Sequence, residues 1–368
     1  MRHLASIQTI KNIQSIDGAD KIEKCNILGW EVVIGKSQFK ENDFVVYCEV
    51  DSIMPDIPEC EFLKPKGMRI RTIKLKGQIS QGICFPLSIL DGKRYPTDTR
   101  EGIKYNLIEG MDVTPILGVT KFESAMPACL SGIAKGQFPG FIPKTDESRV
   151  QLLQNLLDKY IGFGCYISEK VDGSSVTFYY KDNIFGVCSR NLELIENDTN
   201  SLWKKAKEHN IEQKLKNIYE TGFSFNDPSA EIGDKSLIKG NFALQGEIIG
   251  EGIQGNPLKL KGQHIYFYNA FNIDTHRYLD YSDFIQLMIY IDLPTVPIIT
   301  SDYILSNDIP SIIDIAVRKS ILNPNVYAEG IVIRPVLEIV DKSFNKLEHG
   351  GRVSFKAINP QYLLKHQL

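Results

Sequence analysis

Glu169-Lys170-Val171-Asp172-Gly173-Ser174 decides how the rest of this chain is read. A lysine closes an apolar run over 166–170, and Asp-Gly turns the chain into a second run over 174–180. Asp-Gly favours a hairpin turn, since glycine accepts the backbone angles such turns need. Lys170 is therefore expected at the mouth of a sheet, its amine in a cleft. A free lysine has a pKa of about 10.4, so only about one in a few thousand is neutral near pH 7. A nucleophilic lysine needs a neighbouring cation or a dry environment to lose its proton. A metal held by carboxylates does this and also neutralises a triphosphate. Asp172 and Glu247 are candidates for those carboxylates. Alone, Lys-x-Asp-Gly is short and reads as a charged hairpin turn, so its partners decide.

Five partner segments follow. Cys188-Ser189-Arg190-Asn191 comes after another apolar run; Arg190 suits phosphate or ribose through its forked guanidinium, though taken alone it is an ordinary surface arginine. Gln245-Gly246-Glu247-Ile248-Ile249-Gly250 sets a carboxylate near the end of an apolar strand, beside glycines that admit a ligand; a bare strand end is the plain alternative. Tyr266-Phe267-Tyr268-Asn269-Ala270-Phe271 places one ring to stack on a purine, although aromatic strands more often serve the core. Glu329-Gly330-Ile331-Val332-Ile333-Arg334 puts a carboxylate before a buried strand, and Val353-Ser354-Phe355-Lys356 puts a lysine on the last one.

In this order and spacing the six segments, from Lys170 to Lys356, resemble the covalent nucleotidyltransferase superfamily of DNA ligases, RNA ligases and messenger-RNA capping enzymes. The resemblance covers about half the chain and implies roles residue by residue. Lys170 is the implied nucleophile that takes AMP. Asp172 and Glu247 are implied ribose or metal-water contacts. Arg190 orients the ribose or the 5′-phosphate end, and Lys356 contacts the α-phosphate. Tyr268 stacks on adenine, with Phe267 the second choice because the strand register is open. Glu329 organises the metal, so Asp172, Glu247 and Glu329 form the implied metal set. Glu169 and Arg149 join the nucleotide contacts on the same basis. Many superfamily members carry a second lysine two residues from the last; here those positions are Ile358 and Ser354, leaving Arg352 and Lys365 as candidates to compensate.

Architecture narrows the branch. DNA ligases and capping enzymes carry an OB domain after the last segment, whereas only twelve residues follow Lys356 here. About 120 residues precede the core instead, with Val- and Ile-rich runs at 31–34, 44–50, 69–75 and 82–87 between Gly, Pro and Asp turns. That spacing predicts an OB-like β-barrel. The arrangement resembles family 5 RNA ligases, nick-sealing enzymes with an N-terminal OB-like module. Residues 68–82, the run Lys144-Thr145-Asp146-Glu147-Ser148-Arg149 and the ending Phe355-Lys356-Ala357-Ile358-Asn359-Pro360 also look like segments of that family. The expected fold is α+β: an OB-like β-barrel module over 1–120, a turn-rich junction over 121–148, and an adenylyltransferase domain over 149–368 with ATP-grasp-like antiparallel sheets plus helices. Helices are expected near 148–160, 200–218, 281–291 and 310–319, and an apolar run around 285–299 reads as core.

Bulk properties set limits. With 42 basic and 45 acidic residues the net charge of −3 neither demands nor excludes a nucleic-acid partner. Seven cysteines lack Cys-x-x-Cys spacing and read as buried thiols, Cys129 among them. No signal sequence or membrane span is evident, which predicts an intracellular protein. Gly29 to Ser37 is a near-miss for a phosphate loop, with five residues between its glycines instead of four, and reads as strand and turn. Arg69, Arg71, Lys74 and Lys76 alternate as a stripe that either tracks a phosphate backbone or lies on a solvated edge strand.

The resemblance implies a three-step reaction using ATP and Mg²⁺ or Mn²⁺: AMP passes to Lys170, then to an RNA 5′-phosphate, and is released as a 3′-hydroxyl joins the ends. Nicked duplex RNA is the implied partner, with the enzyme a monomer. The alternatives are a GTP-dependent capping guanylyltransferase and a non-catalytic nucleic-acid binder.

Overall fold

The computed structural model describes residues 3–96, 98, 105–122, 134–224, 237–341 and 351–366. Of these, residues up to 122, 150–154 and 360–366 form one compact unit, and 134–149 with 155–359 form the other. The chain of the second unit is thus followed, as well as preceded, by residues of the first. The single domain expected over 149–368 is interrupted, since 150–154 and 360–366 return to the first unit with no composition change that marks them.

The first unit is β-rich. Its strands are Ala5–Thr9 (β1), Lys11–Ser15 (β2), Ile22–Ile27 (β3), Trp30–Gly35 (β4), Phe44–Cys48 (β5), Ser52–Ile53 (β6), Ile73–Leu75 (β7), Gln78–Ser80 (β8) and Ile83–Phe85 (β9). A short helix, Thr114–Leu117 (α1), and strand Thr120–Lys121 (β10) follow. The strands form the three-stranded sheets β1-β5-β9 and β2-β3-β4 and the two-stranded pairs β7-β8 and β6-β10. Alternation in β4 buries Trp30, Val32 and Ile34 with Ile7, Val45 and Tyr47 in one core. Gly82 has φ +106°, and a Cβ there would lie 2.3 Å from the Tyr47 ring, so the turn before β9 admits only glycine. The near-miss phosphate loop is the β3–β4 hairpin, paired from Ile22↔Gly35 to Ile27↔Trp30. The first three strands were not anticipated, since β1 is buried at nearly every position and β2 carries no apolar alternation.

The second unit holds two sheets. Ala134–Gln137 (β11), Ser174–Lys181 (β14), Ile184–Ser189 (β15), Leu192–Leu194 (β16), Phe242–Gly250 (β19), Gln263–Asn272 (β20) and Arg277–Tyr278 (β21) make a seven-stranded sheet in the order β11-β16-β15-β14-β19-β20-β21. Ser148–Arg149 (β12), Gly164–Lys170 (β13), Ile298–Ile304 (β22), Gly330–Pro335 (β23) and Phe355–Ile358 (β24) make a five-stranded sheet in the order β12-β24-β23-β13-β22. A small pair, Phe223–Ser224 (β17) with Leu237–Ile238 (β18), stands apart. Helices are Gln154–Tyr160 (α2), Ser201–Glu208 (α3), Ile211–Glu220 (α4), Tyr281–Tyr290 (α5), Ile309–Ala316 (α6) and, in the first unit, Pro360–His366 (α7).

Two expected helices are corrected. Residues 148–160 are not one helix: Ser148–Arg149 pairs in parallel with Phe355–Lys356, a 3₁₀ turn covers Val150–Leu152, and only Gln154–Tyr160 is α-helical. The apolar spacing of Val150, Leu153 and Leu157 imitated a helix across that break. The helix expected over 200–218 is two, because Asn210 sits at φ 51° in the left-handed region. Strand β22 begins at the end of the run expected as core, overlapping it at Ile298 and Ile299.

Candidate active site

The two sheets meet through Lys170. It ends β13 in the smaller sheet, while Ser174 begins β14 in the larger, and Asp172 lies in the three residues between. Register then assembles the neighbours. Lys170 pairs with Gly330, directly after Glu329; Ser175 pairs with Glu247; Lys356 pairs with both Val332 and Arg149. Gly173 is required by close approach, because a Cβ there would lie 2.2 Å from the carbonyl oxygen of Ile248. We expect Gly173→Ala to push β14 away from Glu247 and to lower activity about 10²-fold with the fold retained, on the scale of a small misplacement of catalytic groups; steady-state rates with matched circular dichroism check this.

Lys170 Nζ donates to Glu329 Oε2 at 2.6 Å. Burial pulls the amine down, but the carboxylates of Glu329, Glu247 and Asp172 outweigh it and hold the pKa above the ordinary lysine range. Burial also raises Glu329, against the pull of Lys170. Glu247 is pushed up to about 8 by burial, with Glu329 and Asp172 adding to the rise and Lys170 and Arg190 opposing it. The linkage sign follows. Between its ordinary value of 4.5 and about 8, folded Glu247 keeps a proton that the unfolded chain has released, so its contribution to stability falls as pH rises through that window. In chelator, Glu247→Gln is therefore expected to melt higher than wild type at alkaline pH, by a margin that shrinks toward pH ~5. A margin independent of pH counts against this.

A β-bulge settles the aromatic register. Gln245 pairs with Asn269 but Gly246 pairs with Phe267, which leaves Tyr268 as the extra residue on β20. Tyr268 lines the cleft with Lys170, Glu247 and Val332, and its hydroxyl lies 3.1 Å from that of Thr145. Burial and Glu247 push that phenol up to about 12. Phe267 is fully buried in the core, 6.1 Å from the Phe178 ring, so the second-choice stacking residue is corrected: it faces away from the cleft.

Other expected residues divide. Arg190 Nη2 donates to Asp146 Oδ2 at 3.0 Å, and Lys356 Nζ lies 3.5 Å from Asp146 Oδ1. Arg149 is buried on β12 beside Lys356. Glu169 lines the cleft beside Lys170, and its carboxylate accepts from the Ser320 hydroxyl and from Ile321 N–H at 2.7 Å. Arg352, a candidate to replace the missing lysine, is committed to Glu338 through two hydrogen bonds, to Asn269 at 2.8 Å and to the Tyr278 ring at 3.7 Å. We expect Arg352→Met to cost about 3–5 kcal/mol in denaturant titration, since it strands a buried carboxylate. Lys365 lies exposed on α7 of the first unit.

Sequence reading missed Arg334. It is 2% exposed and lines the cleft, with Nε donating to Ser354 Oγ at 2.8 Å and Nη2 to Glu147 Oε1 at 3.0 Å. The signal was there: an arginine two residues beyond Val332 on a strand of apolar residues shares its face. The basic stripe is broken up. Arg69 is buried, paired with Asp51 at 2.8 Å and stacked 3.7 Å over Phe122, so it is corrected as a nucleic-acid contact. Arg71 is part-buried, while Lys74 and Lys76 stay exposed on the β7–β8 hairpin. Six cysteines are buried free thiols, and Cys129 lies outside the described residues. No described helix is long and apolar enough to cross a membrane.

The RNA ligase family profile matches residues 165–358, and an OB-fold domain profile matches residues 4–87. Among solved structures, Naegleria gruberi RNA ligase with PPi is 36% identical at a TM-score of 0.80, covering 100% of this chain and 99% of that one. A lysine variant of that enzyme with ATP and Mn is 35% identical at 0.80, covering 99% of each chain. A second lysine variant, with AMP and Mn, is 36% identical at 0.80, covering 100% and 99%. No curated protein sequence matches the chain. A lysine flanked by three carboxylates at the junction of two sheets, an OB-fold domain ahead of it, and relatedness along the whole length agree: the chain belongs to the RNA ligase family.

Proposed function

We propose that this RNA ligase is ATP-dependent and joins RNA 3′-hydroxyl and 5′-phosphate ends, at nicks in duplexes, through lysyl-AMP and RNA-adenylate intermediates. The observation that carries the reading is Lys170 Nζ held 2.6 Å from Glu329, in a cleft walled by Tyr268 and Glu247. The relatives solved with ATP and Mn or with AMP and Mn support it.

In this reading the base stacks on Tyr268, the Lys170 ammonium gives its proton to Glu329, 2.6 Å away, and the neutral amine attacks the α-phosphate, releasing pyrophosphate. Lys356 and Arg190 neutralise phosphate charge. AMP then passes to the RNA 5′-phosphate, and the 3′-hydroxyl displaces it, so one hard displacement becomes easier ones. Among the described residues no three His, Cys, Asp or Glu side chains form a ready metal cage. Hard carboxylate oxygens at Asp172, Glu247 and Glu329 nevertheless fit Mg²⁺ or Mn²⁺, which keep several waters and need only one or two carboxylates. When bound, such an ion supplies positive charge that competes with Lys170 for these carboxylates and screens the phosphates. Arg71, Lys74 and Lys76 remain as the RNA contacts of the OB module, and the enzyme acts as a monomer.

The test is incubation with α-labelled ATP or GTP and a divalent ion, without nucleic acid, then a denaturing gel. A band with ATP alone supports the reading. A band with GTP moves it to capping, and no band from adenylate-free protein moves it to a binding module. Lys356→Ala is expected to weaken the ATP band by about 10²-fold or more, the scale of losing one charge-stabilising donor; near-normal labelling relocates that role.

A further inference from the structure

Four consecutive side chains, residues 144–147, each bond a different wall of the site. Lys144 Nζ donates to Asn191 Oδ1 at 3.0 Å, the Thr145 hydroxyl lies 3.1 Å from that of Tyr268, and Glu147 Oε1 accepts from Arg334 Nη2 at 3.0 Å. Asp146 meets two cations: Oδ2 accepts from Arg190 Nη2 at 3.0 Å, and Oδ1 lies 3.5 Å from Lys356 Nζ. Those are the two cations assigned above to phosphate. A carboxylate offering one oxygen to each resembles, in charge and spacing, a phosphate offering two of its free oxygens.

We propose that Asp146 is the resident anion of the phosphate subsite, holding Arg190 and Lys356 together until a phosphate group displaces it. The inference rests on the reading of those two residues as phosphate contacts. Two cations aimed at one point repel, so an internal anion keeps the subsite assembled while it waits for substrate. Two anions cannot share the point, so an arriving phosphate must expel the carboxylate. The Asp146 side chain is 32% exposed, which gives it water to move into. Thr145 and Glu147 flank it and hold Tyr268 and Arg334, so its release also loosens the wall that carries the stacking ring. Phosphate and base binding are thereby coupled through one short strap.

The test is calorimetric binding of inorganic pyrophosphate to the full chain as wild type, Asp146→Asn and Asp146→Asn/Arg190→Gln, at low and high salt. A 5′-phosphorylated RNA trinucleotide, against its 5′-hydroxyl counterpart, is the second probe. Asp146→Asn is expected to bind phosphate about tenfold tighter, the scale of one hydrogen bond to a charged group. The gain should persist at high salt and be lost in the double variant. A gain with pyrophosphate alone assigns the displacing group to the nucleotide, and a gain with the phosphorylated RNA alone assigns it to the RNA end; either supports the proposal. Simple long-range repulsion fades with salt, so a gain that fades, or equal or weaker binding by Asp146→Asn, overturns the inference while leaving the phosphate reading in place. No binding by any variant, in protein that unfolds cooperatively, overturns both. Asp146→Ser provides a second variant with the same expected gain.

Discussion

Lys170→Ala is expected to take no label from α-labelled ATP, a loss on the order of 10⁵-fold or more, as for removal of other covalent nucleophiles. Lys170→Arg is the sharper experiment. Arginine keeps the positive charge that Glu329 and Glu247 require, so the fold and the carboxylate cluster should survive. It does not lose its proton in proteins and so offers no lone pair to phosphorus. Two variants, one neutral and one positive at this position, should therefore share one defect, which separates nucleophilicity from charge balance. Labelled AMP on either protein, stable to denaturation, would remove Lys170 from the proposed role.

Glu329→Gln is expected to have the next largest effect, about 10²–10³-fold on adenylation, the range seen when one preorganised charged partner is lost. The amide keeps the shape and can still meet the Lys170 amine, but it no longer anchors an ammonium or competes well for a divalent ion. The defect should therefore ease as Mg²⁺ or Mn²⁺ is raised. Near-normal labelling with an unchanged metal requirement would move the metal-organising role to Asp172 or Glu247.

What the sequence made legible follows from locality. Lys170, Arg190, Glu329 and Lys356 lie at or next to strand ends, while Glu247 and Tyr268 lie within β19 and β20, and in each case a short local run holds the residue, so their types and order carry the reading directly. Tyr268 against Phe267 was undecidable because alternation assumes an unbroken ladder, and a single bulge shifts the count. Arg69 was misjudged because its partner, Asp51, lies on a distant stretch and burial converts an apparent phosphate contact into a structural ion pair. The Glu169 carboxylate is anchored by Ser320 and Ile321, some 150 residues on, a pairing that adjacency to Lys170 does not reveal. The task of Arg334 is less legible, since its value lies in joining Ser354 and Glu147, both remote in sequence. Asn210 could have been read: asparagine tolerates the left-handed region and often marks where one helix stops.

Helix α7 belongs to the first unit although it follows the last strand of the second. In the language of protein engineering, the ligase unit is an insertion into a host domain and not a downstream cassette. Trimming the chain after β24 to isolate the catalytic half would remove a piece of the host, while trimming the first 120 residues would leave α7 and residues 150–154 without their own core. A separable catalytic fragment has to be cut at both ends, near 134 and 359, and relinked across 150–154.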